Sequence, residues 1–141
     1  DGPLKDLIIS AQKDNIIYHG SFSNPVDLEN IYRQIDLSYV VYDNSLKNVR
    51  LAIPNKLYES AFFGIPLICA KHTYLEEKVL GWGIGRGITM EDDLKFEFEM
   101  LDYLQKDNLS EAASNCRKLS ENELIENDIP MLKSIIMDGN S

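Results

Sequence analysis

The chain has 141 residues, of which 44% are hydrophobic and 26% charged, and it carries a formal net charge of −9. This length fits one domain and this composition is close to the globular average, which excludes a disordered tail, a collagenous chain and a coiled coil. The longest nearly apolar run, residues 61–70, contains Gly64 and Pro66. A membrane span needs about 18 or more apolar residues, so the sequence predicts none, and its first residues predict no signal peptide.

The negative charge is unevenly distributed. Residues 1–90 carry ten acidic and nine basic side chains, whereas residues 91–141 carry 13 acidic and five basic ones. The last third is therefore interpreted as solvated helical surface, and it argues against general nucleic-acid binding, which requires a basic face. Segment 47–86 holds six basic and three acidic side chains, so it is the part that suits a small anion such as a diphosphate.

Cysteine and histidine usage indicates neither a disulfide scaffold nor a metal site. Cys69 lies in an apolar run and is expected to be buried. With Cys116 as the other cysteine, the pair does not indicate a disulfide scaffold. His19 and His72 have no metal-ligand spacing, so we expect no metal. His72 follows a predicted strand and is either a polar contact to a ligand or an exposed loop residue. These features favour the reducing cytoplasm.

The first third of the chain reads as helix, strand and helix. Apolar residues at spacings of three and four predict a helix over Pro3–Lys13. The β-branched segment Asn15–His19, closed by Gly20, predicts a strand. A loop follows, and helical spacing resumes over Val26–Gln34.

The middle of the chain alternates between strands and helices. A strand is predicted within residues 35–42, followed by a polar loop over Asp43–Ile53. Pro54 opens a helix that Gly64 ends. The apolar segment Pro66–Ala70 is typical of a strand covered on both faces.

The remainder is mostly helical. A short helix is predicted over Tyr74–Leu80, and a glycine-rich turn at 81–88 leads into a short strand. Apolar spacings then mark further helices at 94–104, 109–119 and 131–137. Strands separated by helices predict an α/β fold with a Rossmann-like parallel sheet. We expect one domain over 1–141, with its α/β core at about 1–90 and a mostly helical acidic part at about 91–141.

The densest functional pattern begins at Pro54. A helix that starts at the carboxyl edge of a parallel sheet offers backbone N–H groups and a partial positive charge, which suit a phosphate. Asn55 and Lys56 stand in the first turn, and Glu59 follows about one turn later. A carboxylate there can accept hydrogen bonds from both hydroxyls of a ribose. The alternative is that Glu59 merely favours an early helix position.

Several segments, in order, resemble the C-terminal nucleotide-sugar-binding domain of GT-B fold glycosyltransferases, especially those that build bacterial surface polysaccharides. These segments cover roughly residues 1–105. They are the strand and glycine at 15–20, the helix and strand at 28–37, the Pro-x-Lys-x-x-Glu helix at 54–59, the Gly-x-Pro strand at 64–68 and the glycine pair at 83–85.

The resemblance implies a role for each matched residue in binding a nucleotide diphosphate sugar. Glu59 would bind the ribose, and Ser21 and Phe22 would lie near the nucleobase. The backbone turn at the helix start would face the diphosphate, which Arg50 could also contact. The implied donor-binding residues are Pro54, Asn55, Lys56, Glu59, Ser21, Phe22 and Arg50.

The chain also departs from the family pattern. Many retaining members carry two glutamates eight positions apart. Glu59 matches the later of the two, and the position of the earlier one is Leu51 here. The family's acceptor site and catalytic residues belong to an N-terminal domain, and its C-terminal domain has further strands before the segment at Pro3. We therefore expect a cut-down C-terminal half that binds a UDP-sugar or GDP-sugar and is inactive alone. The full-length protein is expected to be cytoplasmic and peripheral at the inner face of the membrane.

Two other classes of protein remain open. One is a non-catalytic α/β nucleotide-binding or regulatory module, and the other is an interaction domain without a ligand. Sheet edges exposed by missing strands also predict a homodimer formed by strand pairing.

Overall fold

The computed structural model describes residues 4–11, 15–23 and 26–124, without the side chains of 121 and 122. The chain divides into two compact units, Asp1–Arg33 and Gln34–Ser141.

The first unit contains two short helices, α1 (Lys5–Ser10) and α2 (Leu28–Tyr32). They confirm the cores of the helices predicted at 3–13 and 26–34. The strand predicted over Asn15–His19 is wrong, because these residues form only an isolated bridge at Ile16. Parallel strands depend on neighbours and on burial of both faces, whereas Ile17 is 70% exposed.

The second unit is an α/β domain with a three-strand parallel sheet flanked by helices, which confirms the predicted fold class at this coarser level. The strands lie in the order β1-β2-β3, with Tyr39 paired to Ile68 and Ile68 to Arg86. In chain order its elements are β1 (Ser38–Val40), α3 (Lys47–Leu51), α4 (Asn55–Phe63), β2 (Leu67–Ala70), α5 (Tyr74–Trp82), β3 (Gly85–Ile88), α6 (Asp93–Tyr103), α7 (Lys106–Cys116) and α8 (Glu121–Leu124).

Local sequence sets the ends of the central helices. Pro54 precedes α4 in an extended conformation, and Gly64 ends it at a φ of 75°, in the left-handed region that glycine adopts freely. The Thr73 hydroxyl caps α5 by accepting from the Glu76 N–H, and the Asp92 carboxylate caps α6 by accepting from the Lys95 N–H. These signals fix where the chain leaves and re-enters the sheet.

Two core clusters cover opposite faces of the sheet. Successive side chains of β2 alternate between them, so Cys69 belongs to the first cluster and Ile68 to the second. The first cluster comprises Val40, Leu57, Ala61, Leu67, Cys69, Leu75, Val79, Ile84 and Cys116. The second comprises Ile68, Ile88 and Tyr103, with Leu37, Val41, Phe96, Met100 and Leu109 packed against it. All four residues of β2 are buried, as its apolar sequence predicts.

Two further predictions need correction. The loop predicted over Asp43–Ile53 contains the helix α3, whose Val49 is half-buried while its other side chains are exposed. The helix predicted at 94–104 is present as α6, but its apolar stripe does not face the core: Leu94 is 81% exposed and Phe98 71%. Tyr103 and Glu99 are buried instead, since the attachment of α6 to β3 determines which face is covered.

The structure describes no helix long and apolar enough to cross a membrane. The helix predicted at 131–137 lies outside the described residues.

Candidate functional site

The carboxyl ends of the three parallel strands meet at one edge of the sheet, where open α/β sheets bind ligands. A cleft of about 740 Å³ lies at this edge. Its lining comes from β1, from α3 and from the segments that directly follow each strand: Tyr39, Val41, Tyr42, Asp43, Asn44, Ser45, Arg50, His72, Met90 and Glu91. We call it the edge cleft. Its position, at the carboxyl ends of the strands, is the edge at which the sequence predicts a ligand site.

A second cleft, of about 330 Å³, is also lined by Arg50 and His72. Its other lining residues are Lys47, Leu51, Thr73, Tyr74 and Glu77, from α3 and the start of α5. We call it the α3–α5 cleft. Arg50 therefore lines both clefts, and its role as a diphosphate partner stays a prediction.

His72 has a backbone conformation that is uncommon outside glycine, although histidine adopts it more often than most residues. Its φ is 61°, the only positive φ of a non-glycine residue in the part of the chain that the structure describes. Its N–H donates to the Glu76 Oε2 atom at 2.7 Å, which holds the loop between β2 and α5 in this shape. Non-glycine residues in this region are found more often at binding sites and switches than elsewhere.

The floor of the carboxyl edge is fixed by a buried carboxylate. Glu99 of α6 accepts from the Lys71 Nζ atom at 2.5 Å and from the Thr89 N–H at 2.7 Å. Burial disfavours the charged form of Glu99, but these hydrogen bonds outweigh it and lower its pKa to about 2. Because Lys71 follows β2 and Thr89 follows β3, Glu99 ties the ends of two strands to one helix.

Asn44 connects the end of β1 to the same framework. Its side-chain amide donates to the Lys71 carbonyl oxygen at 3.0 Å and to the Glu91 Oε1 atom at 3.3 Å. Hydrogen bonds from Ser45 lower the pKa of Asp43, and hydrogen bonds, chiefly from its own backbone and from Asn44, lower that of Glu91. The edge cleft thus contains ionised carboxylates as well as Arg50.

The start of α4 lies at this same edge. Pro54 lines an almost wholly apolar cavity of about 250 Å³. The other lining residues include Val40 at the end of β1 and Ala70 at the end of β2. The first turn of α4 therefore begins beside the strand ends, where the sequence predicts it.

The other predicted residues of α4 occupy its outer surface. Asn55 and Lys56 are exposed and Glu59 is half-buried, whereas Leu57 and Ala61 face the core. Asn55 and Glu59 are four residues apart and share a helix face, as predicted. Asn55, Lys56 and Glu59 line none of the three cavities described above.

Ser21 and Phe22 belong to the first unit. Both are exposed, Phe22 by 58%, and both follow Gly20, whose φ is 82°. Their predicted place near a nucleobase stays a prediction.

Most polar residues of the edge are not among the predicted site residues, and they include Asn44, Lys71, Thr89 and Glu99. Position immediately after a buried strand could have pointed to Lys71 and Thr89. No local pattern could have identified Glu99, because its partner Lys71 is 28 residues away in the chain. Within the described residues, no three histidine, cysteine or acidic side chains lie together as metal ligands.

The fold and edge define an α/β domain with clefts at the carboxyl ends of its strands. No protein-family profile, no curated protein and no solved structure matches the chain in the comparisons made.

Proposed function

We propose that the chain is the donor-binding half of a glycosyltransferase that moves a sugar from a nucleotide diphosphate sugar to a glycan or lipid-linked acceptor in polysaccharide biosynthesis. The observation that carries the proposal is the position of the α4 start. Pro54 shares an apolar cavity with Val40 and Ala70 at the ends of β1 and β2, and Arg50 lines the adjoining edge cleft. This is where a parallel α/β domain binds phosphate groups.

The proposed chemistry is displacement at the anomeric carbon with a nucleoside diphosphate as the leaving group. The charge that develops on the diphosphate would be stabilised by the first-turn amides of α4, by Lys56 and by Arg50. Glu59, on the same helix face as Asn55, would accept hydrogen bonds from the ribose hydroxyls. The acceptor and the catalytic groups would come from an N-terminal domain, so the chain alone would bind the donor without turning it over.

Backbone NMR titrations with UDP, GDP and ADP test the proposal. We expect one nucleotide to shift the resonances of Arg50, Asn55, Lys56 and Glu59, and the Glu59→Ala variant to lose most of that affinity. Glu111→Ala is the matched control, because Glu111 is an exposed glutamate of α7 that lines none of the described cavities. Absence of shifts with all three nucleotides, or equal binding by the Glu59→Ala variant, would contradict the assignment.

A further inference from the structure

We infer that the α3–α5 cleft is an anion site that holds a phosphate or diphosphate group between Lys47, Arg50 and His72. The inference deepens the proposed function, on which it rests for the identity of the natural ligand. It adds His72 and Lys47 to the binding residues and extends the proposed diphosphate site from the start of α4, through Arg50, to the α3 side of the carboxyl edge. The argument uses the charges in this cleft, the backbone of His72 and the start of α5.

The first support is a pair of cations that face the cleft together. Lys47 and Arg50 are three residues apart in α3, so their side chains leave the helix on one side, and both line the cleft. Neither forms an ion pair with any residue that the structure describes. Two such cations at one cleft create a positive potential that attracts an anion.

The second support is the conformation of His72. His72 lies two residues after β2, has a left-handed backbone conformation and lines both the edge cleft and the α3–α5 cleft. Its imidazole makes no hydrogen bond to a described residue, although it interacts electrostatically with Glu91 of the edge cleft, so its ring N–H can still donate to a ligand. Glycine would adopt this φ without the steric cost that a Cβ brings. A ring retained at a strained position is consistent with a binding role.

The third support is the start of α5. Thr73 and Tyr74 line the cleft at the amino end of this nine-residue helix. Here the helix carries a partial positive charge, which adds to the side-chain charges of Lys47 and Arg50 on α3. Glu77 is the acidic residue of the lining, and Glu76 beside it is already bonded to the His72 N–H. One carboxylate facing two cations leaves the lining net positive.

The test uses the whole chain and inorganic pyrophosphate as the probe, with isothermal titration calorimetry at low ionic strength. The variants are Arg50→Gln, Lys47→Gln and His72→Gly, and the control is Lys106→Gln, an exposed lysine of α7 outside the described cavities. Loss of one charge-assisted hydrogen bond should weaken binding about tenfold in Arg50→Gln and several-fold in the other two. The control should bind like the parent chain.

Thermal unfolding of His72→Gly separates binding from structure. Glycine relieves the strain at φ 61°, so this variant should unfold at the same or a higher temperature while binding pyrophosphate more weakly. Parent-like pyrophosphate affinity in both Arg50→Gln and His72→Gly would overturn the inference. So would the absence of binding, or an equal loss in Lys106→Gln.

A parallel series with UDP and GDP distinguishes the two proposals. If the anion site is correct and the donor function is not, pyrophosphate binds through Arg50 and His72. The nucleotides then bind no more tightly than pyrophosphate, and Glu59→Ala does not change their affinity. If the donor function is correct and the anion site is not, nucleotide affinity depends on Glu59 but is unchanged in His72→Gly and Lys47→Gln.

Discussion

Lys71 and Glu99 join the end of the central strand to α6 through an ion pair with an Nζ–Oε1 distance of 2.5 Å. The Glu99 side chain is 9% exposed and that of Lys71 28%, so the pair is largely shielded from water. The same carboxylate accepts from the Thr89 N–H, which makes it a three-way junction of β2, β3 and α6. The stability of the carboxyl edge should therefore depend on this one ionised side chain.

The Glu99→Gln variant should be less stable at neutral pH by about 2 kcal/mol, because it weakens hydrogen bonds to a charged, buried acceptor. The pKa of Glu99 is lowered from 4.5 to about 2, so its contribution is complete above pH 4.5 and is lost as the pH falls towards 2. Urea unfolding across this range should show a shallower acid decline in Glu99→Gln. Glu97→Gln, an exposed neighbour on α6, should keep the parent profile.

Gly85 and Gly81 form a matched pair for a substitution to alanine. A Cβ at Gly85 would collide with the backbone carbonyl of Leu67 in the neighbouring strand, whereas a Cβ at Gly81 meets nothing within 4 Å. Gly85→Ala should therefore lower the free energy of unfolding by about 2 kcal/mol or more. Gly81→Ala, inside α5, should raise it by about 0.5–1 kcal/mol. Denaturant unfolding measures both, and equal effects would contradict the strand packing.

Two aromatic residues of α6 test which face of the helix is buried. Phe98 is 71% exposed and Tyr103 only 5%. Phe98→Ala should change the free energy of unfolding by less than about 0.5 kcal/mol, whereas Tyr103→Ala should cost about 3 kcal/mol or more. The reverse order would mean that α6 is rotated about its axis from the orientation described.

Both cysteines should be unreactive in the folded protein. Burial raises the pKa of Cys69 to about 12 and that of Cys116 to about 11, so little thiolate forms at pH 8. An aromatic disulfide reagent should label neither residue in the native state and both in denaturant. Rapid labelling of one cysteine without denaturant would show that its side of the core opens.

We propose that the chain pairs through a sheet edge. In the part of the chain that the structure describes, the sheet ends at β1 and β3, and Tyr39 of β1 is 53% exposed. Sedimentation equilibrium should reveal a dimer that Tyr39→Lys weakens, because a charged residue on an edge strand opposes pairing. Phe62→Lys, at an exposed site on α4, should leave it intact. A monomer at high protein concentration would contradict the proposal.

Sequence reasoning succeeds here where a signal is local. Proline before α4, a left-handed glycine after it and an apolar β2 each determine structure through a few neighbouring residues. It fails where the structure depends on which residues become buried. The apolar periodicity of 94–104 predicts a helix, but the face that becomes buried depends on how the helix packs against β3. The β-branched residues at 15–19 favour a strand only if another strand pairs with them.

The candidate site shows the same division. The helix start at Pro54 and the position of Arg50 before it follow from the order of elements along the chain. The sequence leaves His72 as either a ligand contact or an exposed loop residue, because a positive φ cannot be read from its type. The junction at Glu99 joins segments far apart in sequence, so only the packed structure reveals it.

The order β1-β2-β3 has a geometric consequence. A sheet that grows in one direction through right-handed crossovers sends its connecting helices to one face, and α4 and α5 both pack into the first core cluster. Helices that all lie on one face do not diverge, so no crevice opens between these strands. A reversal of winding is needed for that, and among the described strands it could occur only beyond the outer side of β1. A ligand too large for the two clefts would therefore have to extend past Tyr39, away from β3.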